Sequence, residues 1–515
     1  MNNGKICISV CAETADELIE QIKRAEVLAD VIEIRFDCLK DWTQIGKARV
    51  FLINNKQTIR AKILATFRIK EQGGKGDWNK DSNIINFWIE ILNNKMFDFE
   101  DLEFNLQYSK NVEISILRIR SFHDFLGVPK NLTQIYEEMM NESPYIIKIA
   151  TQAKDIAETI PIWKLLERAK SENKELIPIA MGESGKWTRI LGLAHGAFMT
   201  YAALDSGKET APGQVSAKDL IEVYRAKELD ENTEVYGIIA GNTSYILSPY
   251  IHNAAFKFHA LNSVFVPLQV QNLDEFMRRM VLEETREIEL NFKGFAVTNP
   301  HKQSIIKYLD EIDETAEKIG AVNTVKIENG KLHGYNTDAH GFIEPLKNSY
   351  GDLSNAKVAV FGNGGAARAC IYALKKQNAE VMIFARNIEK AENLANEFQI
   401  EIKEFTIQHS PFTIYKDFDI LVNTTPLGTK GDLENESIAV AEQIESVNMV
   451  YDLVYNPFQT KLMGEADKVH VPKIGGLAML IAQAMEQQKI WTGKDAPMKE
   501  MSQAALKRLS TKDFS

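Results

Sequence analysis

The 515-residue sequence predicts an α/β protein, an N-terminal (β/α)8 barrel followed by a second, two-lobed α/β unit. Three observations predict it. Up to about residue 225, short apolar runs alternate with helix-like stretches at roughly 25–35 residues per βα step. Those runs are apolar almost without interruption, as parallel strands buried on both faces are. Beyond residue 235, a further apolar strand runs straight into a glycine-rich turn and a helix.

The strand candidates of the first block are Ile6–Val10, Val31–Phe36, Ile63–Phe67, Ile114–Ile119, Tyr145–Ile149 and Leu176–Ala180, with weaker runs at Phe97–Leu102 and Ala194–Tyr201 completing eight. Glu33, Arg35, Arg68, His123, Lys148 and Arg189 lie near the ends of these runs, where a barrel of this kind carries its chemistry. The barrel is expected to occupy 1–225 and a charged linker 226–234, with a second unit starting at the strand Val235–Ala240. An inner boundary falls near Tyr350–Asn355, and the chain is expected to end in a helix and a frayed polar tail.

Hydrophobic residues make up 45% and charged residues 25%, the balance of a globular protein. A net charge of −11 and the lack of a basic stripe argue against nucleic acid as a partner. No signal peptide is visible, and no run approaches the ~20 apolar residues that span a membrane, so no membrane association and a cytoplasmic location are expected. The cysteines at 7, 11, 38 and 370 have no histidine near enough in sequence to suggest a metal cluster. Cys7 and Cys11 read as core residues on or beside the first strand; no disulfide, no metal and a reducing compartment are expected.

In the second unit, Val358–Phe361 leads into Gly362-Asn363-Gly364-Gly365-Ala366-Ala367-Arg368 and then a helix. Glycine permits the tight turn and a close approach to a pyrophosphate, which the first N–H groups of the helix would face. The next strand ends in Ala385-Arg386-Asn387, with Lys390 one turn on. A cation where a ribose-binding acid is usual favours the extra phosphate of NADP(H). Three polar segments precede this fingerprint: Thr298-Asn299-Pro300-His301-Lys302, Gly320 to Thr324, and Gly334 to Asp338. A lysine beside an aspartate in a cleft can hold a carbonyl oxygen and supply its proton while hydride arrives.

These segments, with Ser248-Pro249-Tyr250-Ile251-His252-Asn253, Asn423 to Gly428, Asp452 to Pro457 and Gly475 to Leu480, resemble shikimate dehydrogenase in the family's order. The resemblance implies reversible reduction of 3-dehydroshikimate to shikimate with NADPH, with Lys302 and Asp338 as the catalytic pair. Ser248, Thr298, Asn323, Tyr455 and Gln483 would meet the substrate, and Asn336 and Thr337 would support its pocket. Gly362, Asn363, Gly364, Gly365, Ala366, Ala385, Arg386, Asn387, Lys390, Thr424, Thr425 and Gly475 would hold the cofactor. Residues 235–345, completed by a C-terminal helix at 476–510, would form the substrate lobe, and 355–475 a Rossmann lobe. Two features depart from the family. Ile246 stands where a serine is usual, with Tyr245 before it, removing a hydroxyl worth about 1.5–3 kcal/mol beside a bound carboxylate. Asn363 replaces a small residue of the glycine loop.

In the barrel, Lys148 lies inside an apolar strand, where desolvation and neighbouring cations can free its amine for imine chemistry. His123, at the end of the preceding strand, suits a proton shuttle. With Glu33 to Asp37, Ala65 to Arg68, Ile179 to Gly182, Thr188-Arg189 and Thr210 to Gln214, the first block resembles type I 3-dehydroquinate dehydratase over roughly residues 5–225. That resemblance implies an imine on Lys148, His123 as the proton-transfer group, no metal or diffusible cofactor, and a substrate site lined by Glu33, Arg35, Arg68, Met181, Arg189, Thr210 and Gln214. The family's glutamate after the arginine motif, which helps position the histidine, reads Gln72 here, with Glu71 one place earlier.

The two resemblances imply consecutive reactions on cyclic hydroxy carboxylic acids. Two alternatives stay open: a second half acting as a quinate/shikimate dehydrogenase, and a scaffold or regulator with a decayed dehydratase half. A homo-oligomer also stays open, since isolated enzymes resembling the first half are often dimers.

Overall fold

The computed structural model describes residues 2–75, 96–104, 116–142, 145–405 and 415–511. They group into two compact units, one of 1–235 with 240–244 and 262–291, the other of 236–239 with 245–261 and 292–515. Residues 240–244 and 262–291 thus group with the N-terminal part although they follow the joint expected at 226–234.

The first unit is built on β1 (Lys5–Val10), β2 (Val31–Arg35), β3 (Lys62–Thr66), β4 (Phe99–Glu103), β5 (Leu117–Asp124), β6 (Ile146–Gln152), β7 (Glu175–Met181) and β8 (Met199–Ala203). All pair in parallel, in the order 7-6-5-4-3-2-1-8. The ring returns on itself where the Phe198 N–H, just before β8, donates to Leu176 O in β7 at 2.9 Å. Cys7, Leu64, Phe99, Ile119, Ile146, Ile177 and Met199 share one buried cluster, so the barrel is packed rather than open. Helix starts follow the local chemistry: Thr14 and Asp41 cap helices Ala15–Ala25 and Trp42–Asn55 by accepting from the N–H groups of Glu17 and Gln44.

Three expectations need correction. The fifth strand runs to Asp124 rather than ending at Ile119, and its expected start at Ile114 lies outside the described residues. The apolar stretch at Ala194 is split: Gly192–His195 is a single tight turn, and β8 begins only at Met199 because Gly196 turns the chain at φ 100°. Cys11 and Cys38 form a disulfide with Cα atoms 5.4 Å apart. They are 27 residues apart in sequence, but β1 and β2 are paired neighbours, so the segments leaving them meet at one rim. Cys7 and Cys370 are buried free thiols.

In the second unit, Phe292–Val297, Thr324–Glu328 and Lys331–Tyr335 form an antiparallel run. The expected C-terminal helix is two, Gly476–Thr492 and Met498–Leu509, parted where Gly493 takes φ +69°. The other sheet is all parallel, with strands in the order Glu401–Glu404, Glu380–Ala385, Lys357–Phe361, Ile420–Asn423, Met449–Asp452, Lys473–Gly475. That is the 3-2-1-4-5-6 order of a dinucleotide-binding fold, whose order reverses between Lys357–Phe361 and Ile420–Asn423. Among the described residues, no helix is long and apolar enough to cross a membrane, and no cluster of His, Cys, Asp or Glu could hold a metal ion.

Candidate active sites

Side chains on a strand alternate between faces, so residues two apart at the end of a barrel strand share one face of the sheet. β4, β5 and β6 pair with Glu103 opposite Ser121 and Ser121 opposite Lys148, which sets those three in one row with His123 two residues further on. Around that row, one cavity is lined by Glu33, Arg35, Arg68, His123, Lys148, Met181, Arg189, Thr210 and Gln214, every residue expected for the first site.

Lys148 Nζ donates to Asp101 Oδ2 at 2.8 Å and lies 4.2 Å above the Tyr201 ring. Arg68 bridges two acids of β4, pairing with Asp101 at 2.8 Å and with Glu103. His123 Nδ1 is 2.5 Å from Glu103 Oε1. Burial, reinforced by the Arg68 and Lys148 charges, drives the His123 imidazole well below its usual range, so it rests neutral and able to accept a proton. Burial alone would raise the Asp101 carboxyl, but the Arg68 and Lys148 charges hold it far below the usual carboxylate range. Asp101 therefore stays an anion and compensates the two cations facing it.

Glu33 accepts from Ser9 at 2.5 Å and from Thr66 at 2.8 Å. Arg35 is held by a two-pronged pair with Asp37, both contacts at 2.8 Å. Among the described residues, the hydrogen-bond partners of buried Arg189 are the carbonyls Tyr201 O and Pro212 O, each at 3.4 Å; burial lowers its guanidinium to about 10. A deeply buried cation without a carboxylate suits an anionic ligand group. Gln214 is tied to Thr210, accepting its N–H at 2.8 Å.

Sequence reading missed Asp101, Glu103 and Ser121. The signal was present: Phe99-Glu100-Asp101-Leu102-Glu103 puts three acids on a five-residue buried strand, with Asp101 and Glu103 two apart on one face, which a buried strand tolerates only when cations face them. Gln72 lines the cavity, but its Oε1 is buried without a hydrogen-bond partner and the acid on His123 comes from β4 instead. The Glu71 side chain lies outside the described residues.

In the second unit, Lys302 Nζ and Asp338 Oδ2 are 2.5 Å apart. Asn323 organises the surroundings: its Nδ2 lies 2.8 Å from Asp338 Oδ1, 3.0 Å from Thr337 Oγ1 and 3.1 Å from Gln483 Oε1, while its Oδ1 accepts the Thr337 N–H at 2.8 Å. Asn336 accepts the Asp338 N–H at 3.0 Å and donates to Ala321 O, fixing the start of helix Asp338–Tyr350. Gly341 lets that helix lie against Gly476–Thr492, since a Cβ there would sit 2.6 Å from Gln483 Cβ. Ser248 is buried at the first position of helix Ser248–Phe258, and Thr298 follows Phe292–Val297, its N–H bonded to Ile239 O. Tyr455 has its phenol pushed up to about 12 by burial, with Tyr245 adding to the rise, so it stays a hydrogen-bond donor. Ile246 is buried and Tyr245 is 53% exposed, leaving Tyr245 as the hydroxyl nearest the lost serine in sequence.

At the switch point of the parallel sheet, Gly362 takes φ +113°, and a Cβ there would meet Thr424 Oγ1 at 2.5 Å. Gly364 opens on free space before helix Gly365–Lys376, and a Cβ on Gly365 would lie 3.7 Å from Lys302 Cδ. The loop carrying Asn363 and Ala366 therefore borders Lys302. Thr424 and Thr425 are anchored to Phe361 O and Asn423 Oδ1, at 2.7 Å each. Arg386 and Lys390 are exposed beyond Ala385, and Asn387 caps the next helix at Lys390 N. Gly475 precedes the helix carrying Gln483. Arg368 serves the scaffold, bonding Ile319 O and Glu397.

Comparison with known proteins covers both units. A type I 3-dehydroquinase family model matches residues 6–231. Models for the shikimate dehydrogenase substrate binding domain, shikimate/quinate 5-dehydrogenase, and the shikimate 5'-dehydrogenase C-terminal domain match 238–325, 344–455 and 476–506. The chloroplastic bifunctional 3-dehydroquinate dehydratase/shikimate dehydrogenase of Arabidopsis thaliana is 33% identical over 96% of this chain and 83% of its own. The shikimate dehydrogenase (NADP(+)) of Methanocaldococcus jannaschii is 40% identical over 55% of this chain and 99% of its own. A crystal structure of shikimate 5-dehydrogenase from Thermus thermophilus with NADP(H) and shikimate is 31% identical, covering 53% of this chain and 98% of that one, at a TM-score of 0.46. With two sets of reactive groups on one polypeptide and a relative matched along nearly all of it, this chain belongs to the bifunctional 3-dehydroquinate dehydratase/shikimate dehydrogenase family.

Proposed function

We propose that the chain dehydrates 3-dehydroquinate through an imine on Lys148 and then reduces the 3-dehydroshikimate formed to shikimate, using NADPH. The observation that carries this reading is that each expected amine sits against a carboxylate at the site expected of it: Lys148 on Asp101 at 2.8 Å, and Lys302 on Asp338 at 2.5 Å.

In the first reaction Lys148 must lose a proton to attack the substrate ketone, and neutral His123 is the base able to receive it. The amine and ketone condense with loss of water. The iminium withdraws electrons from the neighbouring carbon, and His123 takes the proton there. The electron pair forms the ring double bond as the adjacent hydroxyl leaves with a proton from His123. Hydrolysis of the imine then returns Lys148 and releases product. Arg189 matches the substrate carboxylate, being a buried cation whose partners among the described residues are carbonyls.

In the second reaction, a reduced nicotinamide, when bound, would supply hydride to the carbonyl carbon. The residues present fit such a group: Gly362 leaves room that a side chain would close, and Arg386 and Lys390 are exposed cations where a 2'-phosphate would lie. Lys302 donates the proton to the carbonyl oxygen, while Asp338, fixed by Asn323, holds its ammonium in place. Tyr455, Ser248, Thr298 and Gln483 supply polar groups for the carboxylate and hydroxyls, with Asn336 and Thr337 behind them. The dehydratase is assigned to 1–225, joined through 226–234 to a reductase of 235–345 with 476–510 and 355–475.

Borohydride with substrate is expected to add the mass of a reduced adduct to the native chain, on Lys148. Lys148→Ala should lose the adduct and cut dehydration by at least about 10⁴-fold. An untrapped native chain, or a Lys148→Ala chain that still dehydrates, would overturn the imine.

A further inference from the structure

We propose that Glu103, from β4, is the positioning residue that holds His123 during dehydration, in a chain whose position 72 carries no acid. The inference rests on the dehydratase reading above. Glu103 Oε1 lies 2.5 Å from His123 Nδ1, and the carboxylate is itself buried. Its other partners are Arg68 and Ser121 Oγ at 3.3 Å. Gln72 lines the same cavity with its Oε1 buried and unbonded, so the amide that replaces the expected acid takes no hold on the imidazole.

The chemistry follows from which nitrogen is engaged. A carboxylate accepts and does not donate, so the pair is a hydrogen bond only when Nδ1 carries the proton. Arg68 Nη1, which can only donate, lies 3.4 Å from the same nitrogen, but the carboxylate at 2.5 Å is the nearer group, so on this proposal the resting imidazole is the Nδ1–H tautomer, with the lone pair on Nε2 free to act as base. When Nε2 takes a proton from substrate, the imidazolium gains a charge-assisted bond to Glu103 at the moment positive charge appears. Arg68 and Lys148 oppose that charge, while Asp101 and Glu33 favour it. Phe125, stacked at 6.2 Å between ring centroids, keeps the ring from turning away. Register makes the arrangement available, since Glu103 pairs with Ser121, two residues before His123 on the same face.

Two measurements test this. Nitrogen NMR of histidine-labelled native protein should assign the neutral His123 as the Nδ1–H tautomer; the Nε2–H tautomer would overturn the proposal without any variant having to fold. Kinetics then compare Glu103→Gln and Gln72→Glu. Glu103→Gln is expected to lower dehydratase kcat by about 10- to 10³-fold with KM within a few fold. The acid limb of its kcat/KM profile should move to lower pH, because the imidazolium has lost its anion. Reduction of 3-dehydroshikimate by the same preparation should be unchanged, and borohydride trapping on Lys148 reports that the barrel itself has folded. Native kcat in Glu103→Gln, or a loss with the pH limb unmoved, would overturn the proposal, as would a Gln72→Glu profile displaced more than that of Glu103→Gln. Borohydride adducts separate the two readings: a native chain that fails to trap ends the imine account, whereas a slow Glu103→Gln that still traps after long incubation isolates the positioning role.

Discussion

At the scale of single residues, both sites solve one problem, keeping an amine next to an anion without neutralising its use. Asp101 remains charged because Arg68 and Lys148 face it, and it offsets the cost of burying them. Asn323 does comparable service around Asp338 without charge, using each side-chain atom of its amide. Arg386 differs in being exposed, and the proposed function gives it the extra phosphate of the cofactor to read. Arg386→Ala is therefore expected to leave kcat with saturating NADPH nearly native, raise the KM for NADPH by about 10-fold or more, and leave the KM for NADH unchanged. Parallel titrations of both nucleotides check it. An equal loss with NADH would show that Arg386 does not read the extra phosphate.

At the scale of elements, strand order and helix contact bring distant residues together. Acids two apart on β4 reach cations from β3's end and from β6 because these strands lie near one another in the ring. Helices Asp338–Tyr350 and Gly476–Thr492 approach closely at Gly341, which keeps Gln483 within reach of Asn323. The Cys11–Cys38 bond joins the ends of β1 and β2, and the segment it anchors carries Arg35 and Asp37. Closing a 27-residue loop restricts the unfolded chain by about 3.5 kcal/mol in the entropy model. Cys11→Ser with Cys38→Ser should accordingly lower the denaturation midpoint of the dehydratase activity, and leave the midpoint of dehydroshikimate reduction in place. Denaturant titrations of each activity, with and without dithiothreitol, check this; a native chain indifferent to reductant would refute it.

At the scale of the whole molecule, the chain is a bifunctional enzyme, and its two activities can be separated by mutation. Given 3-dehydroquinate and NADPH, the native chain should oxidise NADPH in a coupled assay. Lys148→Ala should abolish that signal yet keep direct reduction of 3-dehydroshikimate; Lys302→Ala should keep dehydration and lose reduction by about 10²- to 10⁴-fold. Mixing the two variants should restore the coupled signal, and failure to do so would show that neither half works without the other. Much of this organisation was legible along the chain. Near-continuous apolar runs marked buried parallel strands, and a strand–glycine–helix signature marked the nucleotide loop, because periodicity and turn chemistry are local. Lys148, His123, Lys302 and Asp338 were weak candidates taken one at a time, and the resemblance of whole segments to known families is what joined them into expected sites. What only folding decided was partnership. That Glu103 rather than Gln72 meets His123, that Asp101 meets Lys148, and that Cys11 bonds Cys38 depend on strand neighbours and register, which bring together residues 20 to 47 positions apart. Local pattern says which face a side chain takes; only the closed sheet says who stands opposite.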